Sequence, residues 1–405
     1  MALPQISVEI PGFAGIRYFF SIDYLRILIL IVLLPVCFQA RKLAVEKNSK
    51  VYLPDRVLAA YILLNLILQA QYDIATNVIR SILNWGVDVV VPYYAISRSI
   101  KDLKSLTDVF MSFVVAATFV SIVGIFEFLR HWVLYLPVGD ALGVDWTSNY
   151  LSRGDALRAR ATSGHPIVFG YVMCIAFIFW VYIKNQITNR VHSTCIALAL
   201  GGGIIASISR GPWVGLAIGL IMIVLTAPNV WRNILKLSFS GFLVFVGLAS
   251  IGYAEKIISF LPFVGNVEEE NITYRTRLFN TAYEIILDNP FFGSNDYLLQ
   301  MEDMRQGEGI IDLVNTFLIV GLNSGLVGLG LFLTFFGWII FFSYREFKSF
   351  EAKSDYFSSG QVIFASLIGI LVTISTVSPI FHVPILYWSI SALGVAYINM
   401  KKALL

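Results

Sequence analysis

The chain has 405 residues, of which 57% are hydrophobic and only 14% are charged. Soluble domains carry about 25% charged residues, so this composition excludes an ordinary soluble enzyme and indicates a polytopic membrane protein. The net charge of +3 is small and the basic residues are dispersed, which argues against a nucleic-acid-binding protein.

Apolar runs long enough to cross a bilayer recur along the whole chain. They cover residues 24–40, 57–73, 77–97, 106–129, 166–183, 193–209, 211–228, 236–253, 313–343, 359–378 and 380–400. We therefore predict an all-α polytopic fold with about 11 or 12 transmembrane helices. The run at 313–343 is long for one span, which indicates a tilted helix or one that extends past the membrane.

Lysine and arginine are concentrated in alternate loops, and this pattern predicts that those loops are cytoplasmic. The other side then holds two long loops, at residues 130–165 and 254–312. An odd number of spans puts the N-terminus outside, and a weak additional span within residues 9–22 would put it inside. The basic loops are residues 41–56, 98–104, 184–190, 232–236, 345–353 and 401–402.

We expect a single integral membrane domain with three parts. Residues 1–253 form an N-terminal bundle, residues 254–312 a long periplasmic loop, and residues 313–405 the C-terminal helices. Within the long loop, apolar residues have helical spacing and an Asn-Pro pair follows them, so we predict a partly helical cap over the bundle. The residues of this pattern are Leu278, Ala282, Ile285 and Ile286, followed by Asn289-Pro290.

Arginines gather on the predicted outer side, where positive charge is usually scarce. They are Arg158, Arg160, Arg210, Arg275 and Arg277. A guanidinium is planar, carries five donors and stays charged at any working pH, so it suits phosphate oxygens. The cluster predicts an anion site, and a lipid-linked pyrophosphate is the natural ligand. The alternative for each arginine is an anchor at the lipid headgroups or an exposed position on a surface helix.

Polar residues accompany these arginines in the same segments. His165 follows Arg160 in a turn with Gly and Pro, and Ser209 precedes Arg210 in a very short turn. Such turns also present the free N–H groups of a helix N-terminus to an anion. Asn315 opens the long run at 313–343, where it could orient a hydroxyl or cap the helix. For the glycines after it, we predict close helix packing; they are Gly321, Gly325 and Gly328.

Neither a metal nor a cofactor is expected. The chain has no CxxC pair and no Cys/His cluster. Each cysteine lies in or beside an apolar run, which is typical of a small buried hydrophobic residue. The acidic run Glu268-Glu269-Glu270 is interpreted as a solvated surface. The cysteines are Cys37, Cys174 and Cys195.

Four motifs in order resemble the bacterial O-antigen ligase and polymerase superfamily, which includes Wzy-type polysaccharide polymerases. They are Arg160 through Pro166, Ser209-Arg210-Gly211, Arg275 with Pro290 and Gly293, and Asn315 with Gly325 and Gly328. The resemblance covers about residues 55–345. It implies a GT-C-like, metal-independent glycosyltransferase of the bacterial inner membrane that acts on the periplasmic side.

The resemblance also implies the substrates and the site. Donor and acceptor would be oligosaccharides linked to undecaprenyl pyrophosphate, with membrane lipids, a chain-length regulator and a flippase as partners. Arg160, Arg210 and Arg275 match the family arginines that grip the pyrophosphate. The same segments supply further substrate contacts, namely Arg158, Arg277, Ser209 and Asn315.

One departure from the family pattern bears on the reaction. Ligases of this family carry a histidine immediately before the asparagine that Asn315 matches, and this chain has Val314. The departure favours a polymerase over an O-antigen ligase or O-oligosaccharyltransferase, and it leaves the general base open. His165 and His382 are the first candidates for this base, and Asp312 and Asp296 are weaker ones.

A transporter of lipid-linked sugars is the alternative from another class. Transporters usually carry ionisable groups near the membrane midplane and are built from repeated halves. Asp88 is the main candidate for such a charge, and a packed partner would explain it equally well. The arginines lie at one predicted surface and no repeat is visible, so the enzyme is the preferred interpretation.

Overall fold

The computed structural model describes residues 7–12, 18–46, 52–141, 151–153, 155–250, 269–305, 311–352 and 354–402. Among these residues, eight helices are long and apolar enough to cross a membrane. The chain is therefore a polytopic, mainly helical membrane protein, as the composition predicted. The eight helices are Tyr24–Lys42, Leu53–Tyr72, Leu103–Arg130, Pro166–Ile183, Arg190–Ser207, Thr316–Lys348, Asp355–Ile374 and Val383–Met400.

The other three predicted runs also fold as helices, and two of them depart from a simple span. Arg210–Thr226 is apolar but short. The run at 77–97 consists of Ala75–Asn84 and Val91–Ser99 joined through a π-helical turn, Trp85–Val90. Val230–Ser250 covers most of the run at 236–253.

The remaining helical segments subdivide a span or lie outside the spans. The first span consists of Tyr24–Leu28, a π-helical turn at Ile29–Leu33 and Leu34–Glu46. The last helix continues to Lys402. The other segments are Leu136–Ala141, Glu269–Asp288, Tyr297–Gln300 and the 3-10 turn Glu302–Met304.

Two short β-hairpins accompany the helices of the predicted all-α fold. Ser7–Pro11 pairs antiparallel with Tyr18–Asp23, and Ser152–Arg153 pairs with Ala156–Leu157. The weak span considered within residues 9–22 is therefore wrong, because the described parts of that stretch are strands. Aromatic and β-branched residues such as those in Tyr18–Asp23 favour strands, which explains the outcome.

Three helices form the buried centre of the bundle. Pro166–Ile183, Asp355–Ile374 and Val383–Met400 are each mostly buried. Beside them the helix that begins at Arg210 approaches very closely, because Gly215 and Gly369 face each other. A Cβ on Gly215 would lie 2.5 Å from the carbonyl oxygen of Gly369. Only glycine at these positions permits this contact, which fixes the helix that carries Arg210.

Contacts join helix ends at several of the basic loops. Asp55 in the loop at 41–56 forms an ion pair with Arg98, which begins the loop at 98–104. Lys348 donates a 2.8 Å hydrogen bond to the carbonyl oxygen of Thr226. These contacts join helix ends that the alternating charge pattern had placed on one side.

The helix Thr316–Lys348, called the broken helix below, is interrupted at Gly325. There φ is 61° and ψ is −165°, outside the helical region. Residues 289–294, called the docking turn, insert at this point. Leu326 N donates to Pro290 O at 2.7 Å, and Ser294 N donates to Leu322 O at 2.8 Å. The interruption explains the excessive length of the predicted run.

The glycines of the broken helix differ in role. A Cβ on Gly325 would overlap backbone atoms of Phe291 in the docking turn, so this glycine makes the interruption and does not serve helix packing. The packing prediction is wrong for Gly325. It is confirmed for Gly321, where a Cβ would lie 2.9 Å from the side chain of Ile286.

Glu269–Asp288, called the loop helix, is the helix predicted inside the second long loop. It ends directly before Asn289-Pro290, as the sequence predicted. Leu278, Ala282, Ile285 and Ile286 are buried in a cluster with residues of the following segments. Glu269 and Glu270 of the acidic run begin this helix, and Glu268 lies outside the described residues. The partners in the cluster are Met301, Met304, Leu313 and Leu322.

The cysteines do not form one class. Cys174 is buried as expected, but Cys37 is half-buried and Cys195 is exposed on the helix Arg190–Ser207. An exposed cysteine on a spanning helix can face lipid. The expectation of burial within the protein is therefore wrong for Cys195.

Candidate active site

Residues 158–165, called the arginine loop, lie directly against the turn that carries Ser209 and Arg210. Ala159 N donates to Ala206 O at 2.9 Å, and Arg158 Nη2 donates to Ser209 Oγ at 3.2 Å. Two motifs separated by about fifty residues of sequence are thus joined. The side chain of Arg160 is buried, with 4% of its surface exposed.

Ser209 connects three chain segments. Its hydroxyl donates to Pro166 O at 3.1 Å or to Ser207 O at 3.0 Å, and it accepts from Arg158. The residue is predicted as a substrate contact, and within the protein its hydroxyl holds the side chain of Arg158. Arg210 begins the next helix and is half-buried.

Glu127 is the residue that sequence reasoning missed. Its carboxylate is fully buried near the end of the span Leu103–Arg130. One oxygen accepts from Arg160 N at 3.0 Å and from Ala161 N at 2.7 Å, and the other accepts from Leu134 N at 3.1 Å. The carboxylate therefore fixes the backbone of the arginine loop. A lone acid near the end of an apolar run was the available signal.

His165 lies at the end of the arginine loop and caps the helix Pro166–Ile183. Its Nδ1 accepts from Ile167 N at 3.2 Å, and its ring stacks on Phe381 with centroids 5.6 Å apart. Burial and the charges of Arg158 and Arg160 lower the pKa of His165 to about 4. The imidazole is therefore neutral at neutral pH and a weak proton acceptor.

Arg158 lies in a strongly positive environment. Burial and the neighbouring Arg153 lower the pKa of Arg158 to about 10, which still leaves the guanidinium charged at neutral pH. Its Nε is buried and meets no acceptor within the described ranges. Like charges held together with an unsatisfied donor are stabilised by an anion, which supports a phosphate ligand here.

The turn at residues 375–382 joins the remaining motifs to the arginine loop. Phe381 stacks on His165, and a Cβ on Gly211 would lie 2.5 Å from Thr376 Oγ1. Thr316 Oγ1 donates to Val377 O at 2.8 Å. The starts of two helices and the arginine loop therefore lie on one side of the bundle, called the arginine side.

Asn315 caps the broken helix. Its side-chain oxygen accepts from Phe317 N at 2.9 Å and from Leu318 N at 3.2 Å. The capping alternative of the sequence analysis is thus observed, and the amide nitrogen takes no part in the cap. Asp312 nearby accepts from Ser378 Oγ at 3.0 Å.

Arg275 and Arg277 are exposed on the loop helix. Their neighbour Tyr274 donates to Met304 O at 3.1 Å and its hydroxyl also interacts with the backbone of Asp312. This contact relates the start of the loop helix to the start of the broken helix. The described hydrogen bonds bring together Arg158, Arg160, His165 and Ser209, and they relate Arg275 to this group only through these neighbours.

The other candidate bases lie at different places. His382 is 3.9 Å from Asp23 in the first hairpin, and burial lowers the pKa of His382. Asp296 is exposed beside the short helix Tyr297–Gln300. Asp88 is bonded by Arg26 through two contacts of 2.9 and 2.6 Å, so a packed partner explains this charge.

Within the described parts of the chain, no group of three or more His, Cys, Asp or Glu side chains could hold a metal ion. The groups that converge on the arginine side are guanidiniums, hydroxyls and backbone N–H groups, which recognise anions.

Membrane-spanning helices with an arginine loop held at their ends define a class: a polytopic membrane protein that gathers guanidiniums on one side. A family model described as O-antigen ligase matches residues 195–333. This match supports the resemblance to the O-antigen ligase and polymerase superfamily that the order of the motifs indicated. The match includes Arg210, Arg275 and Asn315, whereas the arginine loop precedes it. A comparison with curated proteins finds no significant match.

The match supports a function of the ligase or polymerase type. The family is a class of membrane enzymes of the glycosyltransferase or ligase kind. Together with the spanning helices, it makes this chain a multi-pass membrane protein.

Proposed function

We propose that the protein is a metal-independent glycosyltransferase that polymerises a polysaccharide at the outer face of the bacterial inner membrane. The donor is a glycan on undecaprenyl pyrophosphate, and the acceptor is another lipid-linked repeat unit. A chain-length regulator and a flippase are the partners that such a reaction needs. The fixed arginine loop beside the helix that begins at Arg210 is the observation that carries this proposal.

The proposed reaction is a displacement at the anomeric carbon of the donor. The bond from this carbon to the pyrophosphate oxygen breaks, and a bond to the acceptor hydroxyl oxygen forms. The pyrophosphate leaves on its lipid with the bonding electrons, so negative charge develops on its oxygen. In this proposal the guanidiniums of Arg160, Arg210 and Arg275 stabilise that charge. Arg160 is buried in the arginine loop, whereas Arg275 is exposed on the loop helix.

Preorganisation is what the observed contacts supply. Glu127 and the turn at Ser209 hold the arginine loop by backbone and side-chain hydrogen bonds. The charged groups therefore need little reorganisation when the leaving group forms. Arg158 adds a buried donor beside them, and Arg277 adds an exposed charge on the loop helix.

The acceptor hydroxyl releases its proton to water as the new bond forms, and a strong base is not needed if the bond to the pyrophosphate breaks early. His165 is poorly suited to strong base catalysis because its Nδ1 is engaged in the helix cap and its pKa is lowered to about 4. We assign it to positioning of the arginine loop. Asn315, whose amide nitrogen is outside the cap, is proposed to orient a hydroxyl of the substrate.

Polymerase activity is preferred over ligase activity because Val314 stands where family ligases carry a histidine. A valine side chain cannot accept a proton. The ligase alternative would transfer a finished glycan to a lipid or protein hydroxyl. A transporter is less favoured, because Asp88 is ion-paired with Arg26.

The test replaces each arginine separately in a strain that depends on this protein for its glycan. Arg160→Ala, Arg210→Ala and Arg275→Ala should each lower the rate about a hundredfold, or roughly 3 kcal/mol, and remove long glycan while the protein remains in the membrane. Arg305→Ala is the matched control, because Arg305 is exposed and paired with Glu302. Normal chain-length ladders from all three variants would defeat the proposal.

The glycan profile also separates the alternatives. A polymerase defect leaves single repeat units on the acceptor, whereas a ligase defect leaves long chains on the carrier lipid. A transport defect leaves lipid-linked repeat units on the cytoplasmic face. Each outcome is read from the same variants by gel analysis of the extracted glycans.

A further inference from the structure

The loop helix has two different apolar faces. One face packs into the protein through Leu278, Ala282 and Ile285. The second consists of Phe279, Tyr283 and Leu287, which are each about half exposed, at 50%, 52% and 55%. These three residues are spaced by four, so they form one stripe along the helix.

The exposed stripe is ordered and continuous. The rings of Phe279 and Tyr283 stack with an interplanar angle of 6°. Beyond Leu287 the chain enters the docking turn, where Phe291 and Phe292 are exposed to 68% and 54%. Single exposed apolar residues are common on surface helices, but five large ones in a row form a continuous apolar patch, which marks a contact surface.

The docking turn connects this stripe to the surface of a spanning helix. Leu326 N donates to Pro290 O, and Val327 N donates to Phe291 O at 3.2 Å. Leu326 and Val327 belong to the membrane-crossing part of the broken helix, and both are exposed on its outside. Exposed apolar side chains on a spanning helix face lipid, so the stripe begins where the lipid-facing surface begins.

Polar residues occupy the remaining side of the loop helix. On a helical wheel, the stripe lies between the packed face and a polar face that contains Arg277, Asn280, Glu284 and Asp288. A helix with protein on one side, water on another and an apolar stripe between them is typical of a helix lying in the membrane interface.

We infer that the loop helix lies in the bilayer surface, with Phe279, Tyr283 and Leu287 against the lipid acyl chains. The occupant of this face is the membrane leaflet on the arginine side. The helix is thus a part of the membrane-embedded body and not a cap held in water above it. Arg275, four residues before Phe279, then lies at the level of the lipid headgroups.

A consequence for the site rests on the proposed function. A lipid-linked pyrophosphate carries its charge at the headgroup level and its polyprenyl chain in the bilayer. With the loop helix in the bilayer surface, the donor would reach Arg275 by lateral diffusion within the leaflet. The donor would not have to leave the membrane.

The inference is tested by nitroxide accessibility in phosphatidylethanolamine and phosphatidylglycerol liposomes. Single cysteines are introduced as Tyr283→Cys, Leu287→Cys, Glu284→Cys and Asp288→Cys after Cys37, Cys174 and Cys195 are replaced by alanine. Labels at 283 and 287 should be more accessible to oxygen than to a water-soluble nickel chelate, and labels at 284 and 288 should show the reverse. Higher accessibility to the nickel chelate at 283 and 287 overturns the inference.

The unmodified chain gives a second measurement that needs no substitution. A phospholipid with a diazirine in its acyl chain should label Phe279, Tyr283 or Leu287 on irradiation. Exposed residues of the broken helix, such as Leu333 and Phe341, are the internal positive control. Labelling of that control without labelling of the loop helix also overturns the inference. Neither readout depends on catalysis, so a failed glycosyltransferase assignment would leave both results interpretable.

Discussion

Glu127 is the residue on which the geometry of the arginine loop depends. A carboxylate buried at the end of a spanning helix is unfavourable unless its oxygens are bonded. Here three backbone N–H groups bond to it, two of them from Arg160 and Ala161. The backbone at Ala161 has a positive φ of 47°, a strained conformation that the carboxylate helps to hold.

Substitution of this carboxylate should therefore disturb the site. Glu127→Gln keeps the shape but places an amide donor against a backbone donor, at about 1–3 kcal/mol for the unsatisfied group. We expect at least a tenfold loss of glycan polymerisation, which is ~1.4 kcal/mol in the barrier. The measurement is the initial rate with purified protein in liposomes and a lipid-linked donor.

Asp102→Asn is the control for this prediction. Asp102 caps the start of the same helix, where it accepts from Ser105 N at 2.8 Å, and it is exposed. A helix-stability effect would lower the rates of both variants equally. Equal rates for Glu127→Gln and Asp102→Asn would contradict a positioning role for Glu127.

His165 gives a prediction that separates capping from base catalysis. His165→Asn retains a side-chain acceptor for Ile167 N, so it should keep activity within about threefold of the wild type. His165→Leu removes the cap and should be much less active. If both variants are equally inactive, the imidazole acts in proton transfer and the assignment to positioning is wrong.

The lowered pKa of His165 also predicts a pH dependence of stability. In the unfolded chain this histidine takes up a proton near pH 6.5, but in the folded protein only near pH 4. Its contribution is therefore complete above pH 6.5 and is lost as the pH falls towards 4. His165→Asn should reduce the loss of melting temperature between these values, as measured by thermal unfolding in detergent.

At the residue scale, the sequence predicted site residues where the type of side chain and its predicted side of the membrane point to the same ligand. Arginines on the side where positive charge is scarce point to anions, and Arg158 and Arg160 do lie together with His165 and Ser209. Glu127 was not predicted, because the feature that matters is the set of backbone groups it bonds. Those groups belong to a loop about thirty residues away, and no local pattern reveals that proximity.

At the scale of single elements, the broken helix shows where apolar runs are insufficient evidence. A hydropathy pattern measures length and composition, and it correctly located an overlong run at 313–343. It does not report φ at Gly325, and it does not show that the docking turn replaces the missing helical hydrogen bonds. The loop helix, in contrast, was predicted with its end, because Asn289-Pro290 is a local stop signal.

The glycine at this break is predicted to be essential for the docking turn. Gly325→Ala places a methyl group into the backbone of Phe291 and requires a left-handed φ, so we expect a loss of ~2 kcal/mol or more in stability. The melting temperature should fall and the docking turn should become accessible to proteolysis.

The matched control is Gly330→Ala on the same helix, where a Cβ meets nothing within 4 Å. This variant should be as stable as the wild type or slightly more so, because alanine favours a helix. Comparable destabilisation by both substitutions would show that the break at Gly325 has no special role.

At the scale of the whole molecule, the arginine side is assembled by the turn at residues 375–382. This turn contacts His165, Gly211 and Thr316, which come from three separate regions of the sequence. The order of motifs predicted that these regions act together, through resemblance to a family. The turn itself contains no charged residue before His382, so the sequence pointed to it only through His382 as a candidate base.

The number of simple spanning helices does not follow directly from the number of apolar runs. All the predicted runs are helical, yet the run at 77–97 contains a π-helical turn with Asp88, and Arg210–Thr226 is short. These departures occur where Asp88 is paired inside the bundle and where Arg210, a proposed site residue, begins a helix. Composition alone does not distinguish them from ordinary spans.

The most direct test is the structure of the protein in a lipid nanodisc with undecaprenyl pyrophosphate bound. We predict that the diphosphate lies on the arginine side, within hydrogen-bonding distance of Arg160, Arg210 and Arg275. A diphosphate bound at the opposite end of the bundle, or out of reach of all three guanidiniums, would contradict the account.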